Sequence, residues 1–213
     1  MRRLPRLAYS AALSLVGLCA LPRLAYTALR TGKYRESFPY RVGWRLPDPL
    51  HTTGPVLWLH AVSVGETRAA LPFARTWLAQ NPNGQLVVSN VTETGHAEAL
   101  RSLPEAARHC YLPFDFAWIV RRVVQRIRPD QVVLCEGDFW PNFLWEAKSL
   151  GADLTVINGK VSERSARRMA AFPYAADFLC GSVDTFCVQS DQMKERFLRI
   201  GVAEEDLHVT GNL

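Results

Sequence analysis

Several chemistries are disfavoured by what this sequence lacks. Its five cysteines (Cys19, Cys110, Cys135, Cys180 and Cys187) are odd in number and form no C-x-x-C pair, which argues against a disulfide framework or a cysteine zinc site and suits a reducing compartment. Neither H-E-x-x-H nor a comparable ligand cluster occurs among the five histidines, so no protein-bound metal is expected. No G-x-x-x-x-G-K-[ST] phosphate loop is present. A dinucleotide-binding dehydrogenase would need G-x-G-x-x-G after its first strand and an acid closing its second. Here the first turn has only Gly65, and the second strand run ends in Ser89 and Asn90. Internal repeats and low-complexity segments are absent as well.

Long apolar runs are also scarce. Leu7 to Pro22 is apolar and uncharged, but as a helix rising ~1.5 Å per residue it falls short of the ~30 Å hydrocarbon core of a bilayer. Basic residues flank it: Arg2, Arg3 and Arg6 before, Arg23, Arg30, Lys33 and Arg35 after. A signal peptide shares that outline, but no small-x-small cleavage site follows, and the downstream arginines would have to be translocated. The preferred expectation is an uncleaved anchor over residues 1–30, lying in or dipping into the cytoplasmic leaflet of a membrane. Residues 31–53, with Pro39, Gly43, Pro47 and Pro49, read as a connector, and the globular domain is expected over 54–213.

What is present fits one α/β core. The chain has 213 residues, 48% of them apolar, enough to bury one good-sized core. The formal charge of +5 is concentrated at the start: up to Arg45 nine basic residues face Glu36 alone, giving +8 there and −3 in the remainder. A uniformly basic nucleic-acid-binding domain is disfavoured, and a basic contact with a membrane surface is favoured. From Gly54 onward, strand-like runs (VLWL from Val56, then Gln85–Asn90, His109–Leu112, Gln131–Cys135, Leu154–Asn158, Asp184–Gln189 and Leu207–Thr210) alternate with helical periodicity. Leu71, Ala74 and Leu78 set the apolar stripe of the first such helix, and Phe116, Ile119, Val120, Val123, Val124 and Ile127 that of another, with Asp115 as its expected N-cap. Arg121, Arg122, Arg126 and Arg128 read as a solvated face of that helix. The alternation predicts a Rossmann-like parallel sheet covered by helices on both faces.

In such a sheet all strand carboxyl ends share one edge, where ligands bind. Four polar clusters fall there: Ser63 to Glu66, Asn90 to Gly95, Glu136 to Asn142 and Asn158 to Arg164. Carboxylates among apolar walls serve as general bases, and Lys or Arg holds an anionic group. Each residue also has a plainer reading. Glu66 would complement a helix dipole, Glu136 would cap a helix, Asn142 and Asn158 would shape loops, Arg164 would pair with Glu163 in solvent, and Trp140 would pack.

Six motifs in order carry a resemblance: AVSVGE at Ala61–Glu66, VTETG at Val91–Gly95, YLPFD at Tyr111–Asp115, CEGDFWPN at Cys135–Asn142, INGKVSERS at Ile157–Ser165 and VTGNL at the end. Together the chain resembles the N-terminal half of the 3-deoxy-D-manno-octulosonic acid (Kdo) transferases, inverting glycosyltransferases of lipopolysaccharide biosynthesis. The resemblance implies the N-terminal half of a glycosyltransferase B architecture, preceded by a membrane-anchor helix. It also implies a lipid A precursor as acceptor, CMP-Kdo as donor substrate with no other cofactor, and a C-terminal donor-binding domain that this sequence does not contain. The Glu of SVGE, Glu66, matches the general base, and Glu136 the first acid of the E-x-E-x-W-P-N motif. Asp138 replaces the second acid and shortens its reach. Substrate-binding roles are implied for Ser63, Gly65, Thr94, Gly95, Asp138, Asn142, Asn158, Lys160, Ser162 and Arg164. Lys160 replaces an arginine, keeping a cation but losing the bidentate fork. The other expectation is a lipid-acceptor-binding module, or a fragment, without catalysis.

Overall fold

A computed structural model of the chain describes residues 3–31 and 36–213; Arg2, Lys33 and Arg35 of the basic flanks lie outside the described residues. The domain is built on seven strands: β1 (Val56–His60), β2 (Gln85–Asn90), β3 (Arg108–Tyr111), β4 (Gln131–Cys135), β5 (Asp153–Gly159), β6 (Thr185–Val188) and β7 (Leu207–Val209). They pair in parallel in the order β3-β2-β1-β4-β5-β6-β7. Alternation along each strand splits the core in two. Leu57, Leu59, Leu86 and Val88 face one side, where they meet Ala70, Ala74 and Trp77 of α3 (Val64–Gln80) and Ala99 of α4 (Glu93–Ser102). Trp58, Val87, Val132 and Leu134 face the other, against α5 (Ala117–Ile127), α6 (Pro141–Ser149) and, further along, α9 (Asp191–Arg199). Helices therefore cover both faces, as the alternation predicts.

Some expectations change in detail. The buried stripe of α3 is Thr67, Ala70, Ala74 and Trp77, while Leu71 and Leu78 are only partly buried. The small alanines let α3 lie close on the sheet, so the larger leucines fall at its margin. Asp115 does not cap α5, whose N-cap Phe116 makes no side-chain cap. Its carboxylate reaches across space and accepts from the backbone N–H groups of Asn142 and Phe143, each at 2.9 Å, capping α6. Two helices go unmarked by periodicity, α7 (Glu163–Ala170) and α8 (Pro173–Cys180); of the α7 side chains only Ala166 is buried.

The N-terminal segment forms one helix, α1 (Arg3–Thr31), which continues through Pro22. Part of it docks on the domain. Tyr9 meets Phe178 and Trp145 edge-on at 5.4 and 6.2 Å and donates its hydroxyl to Asp115 at 2.9 Å, while the Arg6 guanidinium stacks 4.6 Å from the Trp145 ring. No helix among the described residues is long and apolar enough to cross a membrane. The expected connector is docked too, and it contains a short helix, α2 (Phe38–Arg41). Arg122 and Arg126, expected as a solvated face of α5, donate to the carbonyls of Gly43 and Pro47. Gly43 sits at φ +74 with its missing Cβ only 2.8 Å from Ile119, so both its backbone and its contact require glycine.

Candidate functional site

Strand order reverses at β1 and β4: the chain runs outward from β1 to β2 on one side and from β4 to β5 on the other. The crevice outside the carboxyl ends of these strands is where open α/β sheets bind ligands. The β1 turn enters α3 through Ser63, and Glu66 lies in the first turn of that helix. Its carboxylate is half-buried and folds back on the turn, accepting from the Val62 N–H at 2.8 Å and the Ser63 hydroxyl at 3.1 Å. Burial pushes the Glu66 carboxyl above its ordinary value, and the charge of Glu136 adds to the rise against the lowering effect of the two hydrogen bonds. The turn is braced from the end of β2, where Thr92 donates its N–H and its hydroxyl to the Val62 carbonyl, each at 3.1 Å, and caps α4 by accepting from the Gly95 N–H at 3.0 Å. A Cβ on Gly95 would lie 3.1 Å from the Ser63 backbone, so glycine sets the approach of α4 to the Glu66 turn.

On the β4 side, Glu136 takes a left-handed backbone at φ 73 and pairs with the Lys160 ammonium at 2.6 Å. Exchanged backbone bonds tie these two turns together: Glu136 N–H donates to Ile157 O, and Lys160 N–H to Glu136 O. Asp138 accepts from the Trp140 indole at 2.7 Å and lies 3.7 Å from Nε2 of the buried His60. Burial would push the Asp138 carboxyl up, but His60 and Trp140 hold it below its ordinary range. His60 is itself fixed from below, with Nδ1 2.9 Å from the Ser89 hydroxyl, which also receives the Trp58 indole at 2.8 Å.

The remaining candidates divide. Ser63, Gly65, Thr94, Gly95, Glu66, Glu136, Asp138, Lys160 and Ser162 lie along the strand-end edge. Thr94, Gly65, Ser162, Lys160 and Arg164 are exposed, and the Ser162 hydroxyl caps α7. A cavity of about 540 Å³ opens there, lined by Gly137, Lys160, Ser162, Gln189 and Arg196 among others. Asn158 is buried at φ 54 and accepts the Leu213 N–H at 3.2 Å, so it shapes the end of β5. Asn142 is buried behind the edge, donating its amide to the Asp115 carbonyl and toward Ser10 of α1. Among the described residues no group of three or more His, Cys, Asp or Glu is placed to hold a metal ion. Sequence reasoning did not assign His60 to the site, although it adjoins the AVSVGE turn, because its role depends on Ser89 of the neighbouring strand.

A family model described as 3-deoxy-D-manno-octulosonic-acid transferase (kdotransferase) matches residues 36–213. A 3-deoxy-D-manno-octulosonic acid transferase of Chlamydophila psittaci is 40% identical over 92% of this chain and 45% of its own length. Its counterpart from Chlamydia pneumoniae is 38% identical over 96% and 47%, and that of Haemophilus influenzae 24% identical over 87% and 43%. The chain thus spans about half the length of the curated relatives it matches. A solved UDP-N-acetylglucosamine 2-epimerase is similar in fold alone, with a TM-score of 0.54 at 13% identity over 76% of this chain and 47% of that one.

Proposed function

The chain belongs to the 3-deoxy-D-manno-octulosonic-acid (Kdo) transferase family, and from that premise we propose that it forms the acceptor-binding half of an enzyme that transfers Kdo from CMP-Kdo to a lipid A precursor. Glu66 is the general base. It removes the proton of the attacking acceptor hydroxyl as the new bond to the anomeric carbon forms, the bond to the phosphate oxygen breaks, and CMP leaves with that electron pair. Base assistance of this kind contributes about 10²–10⁴-fold.

The observation that carries the reading is the contrast among the three acids at the switch point. Glu136 is neutralised by Lys160 at 2.6 Å, and Asp138 is held low by its donors. The Glu66 carboxyl carries no cation among the described residues and is pushed up by burial, which brings it nearer the working pH of a base. Glu136 supports it by charge, and the exposed Lys160, Ser162 and Arg164 receive acceptor phosphate. Ser63, Gly65, Thr94 and Gly95 shape the floor for the sugar, with Asp138 beside it. Asn142 and Asn158 support that floor from behind. The donor binds mainly to a second, C-terminal domain of comparable size. The exposed apolar side chains of α1, with Arg23 and Arg30 following them, rest on the cytoplasmic face of the inner membrane among anionic head groups.

A second reading, acceptor binding without catalysis by this chain alone, is favoured by the share of its relatives that it spans. One assay separates the two. The chain mixed with a complementary donor-binding half, CMP-Kdo and lipid A precursor should yield product, whereas the chain alone should bind acceptor and turn over nothing. Failure of the complemented mixture to form product would overturn the transferase reading, and robust turnover by the chain alone would remove the second.

A further inference from the structure

An apolar groove of about 470 Å³ runs between α1, the connector and the start of α5. Leu13 and Gly17 of α1 form one wall, Phe116 and Ile119 the other, and Trp44 and Trp118 stand at the rim, 77% and 60% exposed. Its size is that of a small-molecule site, for which ~300–1,000 Å³ is usual. Gly17 lets α1 approach the opposite wall closely: a Cβ there would lie 2.8 Å from the Phe116 ring.

The lining's own chemistry restricts the ligand. Ser14 donates back to the Ser10 carbonyl, Trp140 donates to Asp138, and the Asp115 carboxylate already accepts from Tyr9, Asn142 and Phe143. Those polar side chains of the wall are thus turned to partners within the protein, and among the described lining residues the two rim indoles are the remaining side-chain donors. A head group would gain little there, whereas a hydrocarbon chain would gain burial along its whole length. Exposed tryptophans suit a mouth that is wet at one end and apolar at the other.

Position selects the occupant. The groove reaches Trp140, whose indole holds Asp138 at the strand-end edge, and Phe114, whose ring lies 4.3 Å from the Arg41 guanidinium. A chain lying in the groove would therefore direct its head group toward Asp138 at the switch point. We propose that this groove binds an acyl chain of the lipid acceptor itself, so that α1 acts as one wall of the acceptor site. The proposal rests on the lipid A reading of the preceding subsection.

Binding of two ligands to the full chain tests it, followed by tryptophan fluorescence: lipid A precursor, and the same precursor after complete deacylation. The acylated form should bind about tenfold or more tighter, the equivalent of burying two methylenes or more. Gly17→Leu, whose side chain must push the Phe116 ring aside into the groove, should erase that difference and leave the deacylated ligand unaffected. Trp44→Ala, at an exposed rim position, should reduce the difference severalfold with no loss of melting temperature. If the deacylated precursor binds and Gly17→Leu leaves the ratio unchanged, the groove is wrong while the acceptor reading stands. If neither form binds, both fall. The assignment is also overturned if phosphatidylglycerol vesicles without acceptor protect the rim tryptophans from acrylamide quenching as well as the precursor does, which would make this a bulk-bilayer surface. A concentration-dependent dimer abolished by Gly17→Leu would overturn it equally, since a second copy would then be the occupant.

Discussion

Two carboxylates, Glu66 and Asp115, are pushed upward mainly by burial, yet they sit in opposite circumstances. Asp115 is 1% exposed, and its oxygens are filled by the Tyr9 hydroxyl and the N–H groups of Asn142 and Phe143. It joins α1 to α6 and is closed off from solvent. Glu66 has one N–H and one hydroxyl donor and remains half-open at the strand-end edge. The comparison teaches that a raised carboxyl alone does not mark a base; what marks it is unfilled acceptor capacity facing a crevice.

The largest effect should come from Glu66→Gln in the complemented transferase. Transfer should fall by about 10²–10⁴-fold, with an unchanged melting temperature, because the amide oxygen still accepts from the turn. Near-normal turnover would remove Glu66 from its role. Asp115→Ala should act the other way round, destabilising the fold by about 3 kcal/mol by stranding two buried N–H groups and the Tyr9 hydroxyl. Urea unfolding measures this, and a loss below 1 kcal/mol would mean that the α1–α6 junction is not held there.

The pH dependence of stability sharpens the same contrast. The Asp115 carboxyl rises from an ordinary 3.8 to about 6 in the folded chain. The folded state therefore binds that proton more tightly than the unfolded chain. Its favourable contribution is complete below the unfolded value and is lost as pH climbs through about 6. Relative to Asp115→Asn, the parent chain should lose stability between pH 4 and 7, by up to about 3 kcal/mol. Parallel curves would show that the carboxyl is not shifted. The smallest effect is expected from Lys160→Ala. That pair is half-exposed on the lysine side, so unfolding should change by less than about 1 kcal/mol, while acceptor affinity falls severalfold.

Legibility in the sequence followed the same division between local and distant causes. The apolar runs Gln85–Asn90 and Gln131–Cys135 coincide with β2 and β4, because a strand buried on both faces is written as one continuous local signal. The convergence of Glu66, Glu136 and Lys160 was legible too, since a parallel sheet gathers the strand ends whatever lies between them. By local pattern Asp115 reads as the cap of the nearest helix, whereas its partners belong to α6, and no local pattern encodes a cap made across space. Of α7 only Ala166 is buried, which leaves no apolar period to announce that helix. The docked face of α1 was hidden for a different reason: Tyr9, Ser10 and Gly17 lie within an apolar run whose composition describes a surface contact as well as a packing one.

The acid limb of the pH profile of kcat/KM for Kdo transfer puts the central claim to its most direct test, measured in the parent protein and in the residual activities of Glu66→Gln and Asp115→Asn. The predicted result is a limb above the ordinary glutamate value of 4.5 that persists in Asp115→Asn and vanishes in Glu66→Gln. A limb that survives Glu66→Gln and disappears with Asp115→Asn would contradict the assignment of the base and exchange the roles of the two carboxylates.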